Sequence, residues 1–134
     1  MEMEVHLPAN MRVESTYRGF TIKTDQAKEE GGEGSAPEPF DLFLSSIGTC
    51  AGVYVLYFCR ERNIDTKGIS LRLSFTRNDK THMVEKIDIR ILLPDSFPEK
   101  YRHTVARIAG MCTVKKHLSD PPEFHIQAAA AGSE

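Results

Sequence analysis

PEPFDLFLSSIGTCAGVYVLYFCRER, from Pro37 to Arg62, is the stretch whose reading decides the fold. Its inner part, Leu42 to Cys59, runs for 18 residues without a charged side chain, and Cys50 sits in the middle of it, two residues before Gly52. A membrane span needs ~20 predominantly apolar residues. This run is diluted by Ser45, Ser46, Gly48, Thr49 and Gly52, and no second candidate exists. The stretch is therefore read as a helix of a soluble protein, beginning near Pro39 and ending near Asn63. A helix apolar all round must be surrounded by protein, which implies sheet wrapped about it and room for a second subunit to complete the cover.

The ends of the stretch support that reading. Ser35 is a candidate cap, and Pro37 and Pro39 suit a first turn, where the missing N–H is not needed. Arg60 and Arg62 place cations at the negative end of the helix. Gly48 and Gly52 each weaken a helix by about 1 kcal/mol relative to Ala. They flank Cys50, so the expectation is that another backbone or a ligand approaches closely there.

Working outward, the N-terminal side alternates apolar and polar residues over Met3–His6, Met11–Ser15 and Phe20–Thr24, separated by Pro8, Asn10 and Gly19, as in an antiparallel meander. Tyr17-Arg18-Gly19 is the tight connection. Asp25 to Ala36, with three glycines among acids, reads as a surface loop. On the C-terminal side, Lys67–Arg77 and His82–Leu93 alternate and pair as a long hairpin, with Ile69, Leu71, Leu73 and Phe75 on one face of the first strand and Ile87, Ile89 and Ile91 on one face of the second. Phe97 to Gly110 spaces Tyr101, Val105 and Ile108 as an amphipathic helix does. Cys112 to Leu118 reads as a short helix with its cysteine at the start, and Glu123 to Gln127 as a last strand. No repeat or linker divides the 134 residues, so a single domain over residues 1–134 is expected.

Charge and cysteine usage narrow the function. With 17 Lys and Arg against 19 Asp and Glu, the net charge of −2 does not suit a nucleic-acid binder. Three widely spaced cysteines, Cys50, Cys59 and Cys112, fit a reduced, cytoplasmic chain better than a disulfide framework, and MEMEVHLPAN does not read as a signal peptide. The five histidines lie on separate segments without metal-ligand spacing, and no Gly-rich phosphate loop or G-x-S-x-G occurs. No metal or cofactor is expected.

The cysteines are the remaining chemistry. A thiol reacts when a helix N-terminus, a cation or hydrogen-bond donors stabilise its thiolate. Cys112 meets the first condition. Cys50, eleven residues into its helix, needs an imported cation, and Arg18 in the tight turn is the candidate; the alternative is that Arg18 is a solvated turn charge. Nine steps of ~100° put Cys59 on the opposite side of the helix from Cys50, so those two cannot bridge, and Cys59 reads as inert packing. Cys50 and Cys112 are the remaining pair, at a separation in space the sequence does not fix.

The residues PFDLFLSSIGTCAG together with RIAGMCTVKKHL resemble the OsmC-like family, which includes the organic hydroperoxide resistance proteins. The resemblance spans nearly the whole chain: the strand meander, a cysteine helix opened by Pro39-Phe40-Asp41-Leu42, a hairpin, and a second cysteine in a Cys-[Pro/Thr]-Val context. It implies an α+β fold in which antiparallel sheets wrap long central cysteine-bearing helices of an intertwined homodimer. It further implies a thiol peroxidase, with Cys50 as peroxidatic cysteine attacking an organic hydroperoxide, Cys112 as resolving cysteine, Arg18 as the active-site arginine, and a dithiol, dihydrolipoyl in some members, as reductant. No membrane partner is implied. The hydroperoxide resistance branch has a glutamate directly after the helix-opening proline. Phe40 stands there in this chain, which leaves Asp41, or an acid of the loop from Glu29 to Glu33, to partner Arg18. The alternative within the same family is a non-peroxidatic dimer that binds a small apolar ligand or senses oxidants.

Overall fold

The computed structural model describes residues 1–132. It is a mixed α/β structure of two antiparallel sheets and three α-helices, and its contacts divide into two compact units, residues 1–49 and 50–134.

In the first unit, β1 (Glu4–Ala9), β2 (Arg12–Tyr17) and β3 (Phe20–Thr24) form a meander in that order. The β2–β3 turn is as tight as the sequence predicts: Tyr17 faces Phe20, and Arg18 and Gly19 both adopt positive φ, +52° and +83°. Two consecutive left-handed residues make the hairpin turn whose twist matches that of its strands. Pro8 lies inside β1, an edge strand with a register shift between His6 and Ala9, where a missing N–H is tolerated.

The loop after β3 is more ordered than its composition predicts. Asp25 is fully buried, and its carboxylate accepts hydrogen bonds from the backbone N–H groups of Gln26, Glu33 and Ser35 and from the Ser35 hydroxyl. Gly32 is indispensable to this wrapping, because a Cβ there would lie 2.0 Å from the Gln26 carbonyl oxygen. Ser35 thus serves Asp25 rather than the helix that follows. Helix α1 (Pro39–Glu61) is started by Glu38 and Asp41. The Glu38 carbonyl accepts from Asp41 N–H, while the Asp41 carboxylate accepts from Glu38 N–H at 3.0 Å, the reciprocal half of a capping box.

The second unit contains the rest of α1, the hairpin of β4 (Ser70–Arg77) and β5 (Val84–Leu92), α2 (Arg102–Ala109), entered through a 3-10 turn at Glu99–Tyr101, and α3 (Thr113–Ser119). The hairpin register pairs Leu71 with Ile91, Leu73 with Ile89 and Phe75 with Ile87, the apolar face the alternation predicts. Leu71 and Ile91 pack against a buried cluster of Ala51, Val55, Phe58, Cys59, Phe97, Val105 and Ala109. Spacings of four, three and one residues put Ala51, Val55, Phe58 and Cys59 on one side of α1.

One expectation is corrected. Glu123 to Gln127 forms no strand: Phe124 and Ile126 are 79% and 94% exposed, and His125 meets the nearby Glu123. Alternation alone makes no strand unless the segment pairs with a sheet edge, and this one pairs with none among the described residues. Helix α1 is only partly covered by its own chain, which leaves the expected completion of its cover to a second subunit untouched. It is long and apolar enough to cross a membrane by length and composition, yet only 28% of its most apolar window is buried, with Val53, Leu56 and Tyr57 exposed.

Candidate functional site

All three cysteines are free thiols in distinct settings. Cys59 is wholly inaccessible within the apolar cluster. Burial pushes its thiol up from the ordinary value, and the nearby Arg62 guanidinium only partly opposes this. Cys50 is half-buried, on the flank of α1 rather than in the core stripe.

Cys112 is buried and is the N-cap of α3. Its extended backbone, φ −64° and ψ 152°, turns the side chain back over the first turn, where Sγ accepts the Lys115 N–H at 3.4 Å. The sequence places this cysteine at a helix start; the structure makes its sulfur the capping atom.

One hydrogen bond connects the two cysteine segments. Tyr54 Oη lies 2.9 Å from Thr113 Oγ1. Tyr54 is four residues after Cys50 and shares its face of α1, and Thr113 directly follows Cys112. Neither residue stands out in the sequence, and only the recurrence of a tyrosine one turn after the cysteine could have signalled it. Gly52 does not supply the clearance expected of it: a Cβ there would meet only Leu71 Cδ1, at 4.0 Å.

Arg18 belongs to the first unit, exposed in the β2–β3 turn with its guanidinium 5.9 Å from the Tyr17 ring centroid. Two of the acids offered as its partners have other engagements. Asp41 holds Glu38 N–H, and Glu33 pairs with Arg12 at 3.2 Å. The perturbed acid of this unit is Asp25, held at about 2 chiefly by the Ser35 hydroxyl and then by backbone N–H groups. Among the described residues no group of three His, Cys, Asp or Glu could hold a metal ion.

Comparison with known proteins decides the family. The model of the OsmC-like protein family matches residues 32–127, well over half of the chain. The chain belongs to the OsmC-like family. A search of curated proteins finds no match. Among solved structures, this OsmC-like chain is similar to a protein of Psychrobacter arcticus provisionally named an osmotic stress induced and detoxification response protein, with a TM-score of 0.72, 21% identity and 85% of each chain covered. It is also similar to an OsmC-like protein of Mycoplasma pneumoniae, at 0.67 and 12% identity over 90% of this chain and 87% of that one. A third is an organic hydroperoxide resistance protein OsmC of Legionella pneumophila, at 0.54 and 17% identity over 87% of each. At these identities the likeness establishes a shared fold. The OsmC-like matched region spans α1 with Cys50 and α3 with Cys112.

Proposed function

We propose that this OsmC-like protein is a thiol-dependent peroxidase that reduces organic hydroperoxides in the cytoplasm. The Tyr54–Thr113 hydrogen bond carries the reading, because it ties the face of α1 that bears Cys50 to the residue beside Cys112. The Cys50 thiolate attacks the O–O bond of the hydroperoxide, leaving Cys50 sulfenic acid and, after protonation, the alcohol. Cys112 then attacks the sulfenic sulfur, water leaves, and a disulfide joins the two. A dithiol returns both thiols by exchange and is itself closed to a disulfide. Arg18 is the cation proposed to face the Cys50 thiolate. With Asp41 engaged at the helix start, Arg18 would act without the acid partner found in the hydroperoxide resistance branch.

The working unit is proposed to be a homodimer folded as one domain per chain. Support comes from the apolar side chains that one chain leaves exposed, Val53, Leu56 and Tyr57 on α1 and Phe124 and Ile126 in the tail.

Titration of free thiols after cumene hydroperoxide tests the chemistry. Wild type should fall from three thiols to one, the survivor being buried Cys59, and Cys50→Ser should lose none. Cys112→Ser should accumulate a sulfenic acid trappable with dimedone. Three thiols surviving millimolar peroxide in the wild type would exclude the peroxidase and leave the non-peroxidatic dimer.

A further inference from the structure

The second unit holds a concentration of positive charge that the peroxide step does not use. Residues 100 to 119 contain Lys100, Arg102, Arg107, Lys115 and Lys116 without one Asp or Glu, in a chain whose net charge is −2. Arg102 is paired with Glu99, and Lys100 lies against the Tyr101 ring. Lys115 and Lys116, by contrast, line a cleft of about 470 Å³ together with Gly110, His117, Ser119 and Asp120. That volume is ordinary for a small-molecule site. His117 Nδ1 lies 2.7 Å from the Thr113 carbonyl, which can only accept, so Nδ1 is the donor.

Lys115 faces two ways. Its side chain lines the cleft, and its backbone N–H is the donor to Cys112 Sγ. The cleft thus shares Lys115 with the cap of Cys112, the sulfur that takes no part in the attack on peroxide. We propose that this cationic cleft docks the anionic group of the thiol reductant that returns the Cys50–Cys112 disulfide to two thiols, an inference resting on the peroxidase reading above.

With its carboxylate held between Lys115 and Lys116, the reductant's thiolate attacks the half-exposed Cys50 sulfur. The S–S bond breaks and its electron pair passes to Cys112, where the Lys115 N–H receives the leaving sulfur. The second thiolate of the reductant then attacks the mixed disulfide and expels Cys50. The reductant leaves as its own disulfide, and its two protons end on Cys50 and Cys112.

The test uses two reductants that differ by one charge, dihydrolipoate and neutral dihydrolipoamide. Protein is first oxidised with diamide, and peptide mapping verifies the Cys50–Cys112 bridge, so the reductive half is measured whether or not peroxide is a substrate. The second-order rate with dihydrolipoate should exceed that with dihydrolipoamide and fall as salt rises. In Lys115→Gln/Lys116→Gln it should drop by roughly tenfold, the scale of local electrostatic steering. The dihydrolipoamide rate should fall by much less than the dihydrolipoate rate, and Lys115→Arg/Lys116→Arg should restore the dihydrolipoate rate.

Equal losses with both reductants, or no loss with either, would overturn the docking role. So would a charge effect that appears instead in oxidation, with a carboxylated hydroperoxide outrunning cumene hydroperoxide in a lysine-dependent way. Diamide bridging without any reaction with peroxide would defeat the peroxidase reading alone. A diamide product lacking the bridge would defeat both.

Discussion

Cys50 and Cys59 lie on the same helix, nine residues apart, and a half-turn of rotation gives them opposite surroundings. Cys59 faces Val105, Ala109 and the rest of the apolar cluster, where a charge on sulfur is penalised by lost solvation. Cys50 lies on a flank with partial access to solvent, on the face whose next turn is tied through Tyr54 to the cap of α3. The difference shows that helix phase sorts these thiols into a buried one and a partly accessible one. Neighbouring sequence does not, since both lie in the same uncharged run.

The largest effect that could break this contrast is on chemistry. Cys50→Ser should abolish peroxide-driven thiol loss, whereas Cys59→Ser should leave its rate unchanged. Iodoacetamide at pH 8 should alkylate native Cys50 and spare Cys59 until urea unfolds the chain. Equal labelling, read by mass spectrometry, would erase the distinction.

Next comes packing on the Cys59 side. Phe58 is 3% exposed, meets Tyr101 edge-on and lies 3.9 Å below the Arg62 guanidinium. Phe58→Ala should cost about 3–5 kcal/mol in urea unfolding.

An acid titration extends the contrast to the first unit, where the buried ionisable group is stabilised in its charged form. Asp25 falls from 3.8 to about 2 on folding. Its contribution to stability is therefore present above pH 4 and lost as pH falls toward 2. Asp25→Asn should lower Tm at pH 7 and flatten the acid limb between pH 4 and 2, followed by circular dichroism; an unchanged limb would assign acid sensitivity to other groups.

On the Cys50 side, Tyr54→Phe removes one hydrogen bond. It should cost about 1 kcal/mol and slow disulfide formation after peroxide severalfold, leaving sulfenic acid formation intact. The smallest effect sharpens the reading of the helix itself. Gly52→Ala meets nothing closer than 4.0 Å and should raise stability by about 1 kcal/mol. Loss of peroxide reactivity in that variant would instead show that a ligand uses the space.

Periodic segments were the legible part of the sequence. The strand alternations, the β4–β5 register and the extent of α1 follow from side-chain spacing, because spacing decides which residues share a face. Three features were hidden for separate physical reasons. Ser35 looks like a helix cap, but a buried carboxylate ten chain positions away competes for the same hydroxyl, and Asp25 wins. Glu123 to Gln127 has a strand pattern but pairs with no edge of the described sheets, and pattern alone does not report pairing. The Tyr54–Thr113 link spans 59 residues, and no local rule reports a contact between such distant positions. Of the candidate site, the two cysteines are singled out by the family motif, whereas the Lys115 donor and the cationic cleft depend on how α3 turns after Cys112.

The wrapping of Asp25 carries a consequence for proteolysis. A stretch of glycines and acids with an exposed lysine at Lys28 has the composition of a cleavage site, and loops of that kind are usually nicked during local fluctuation. Here the segment is fastened at Gln26, Glu33 and Ser35 to one carboxylate, with Ala27 N–H bound to the Glu38 side chain as well. Opening it enough to enter a protease requires those bonds to break together. Trypsin should therefore cut at Lys28 at a rate that follows unfolding of the first unit, making this loop a reporter of that unit's integrity rather than its weak point.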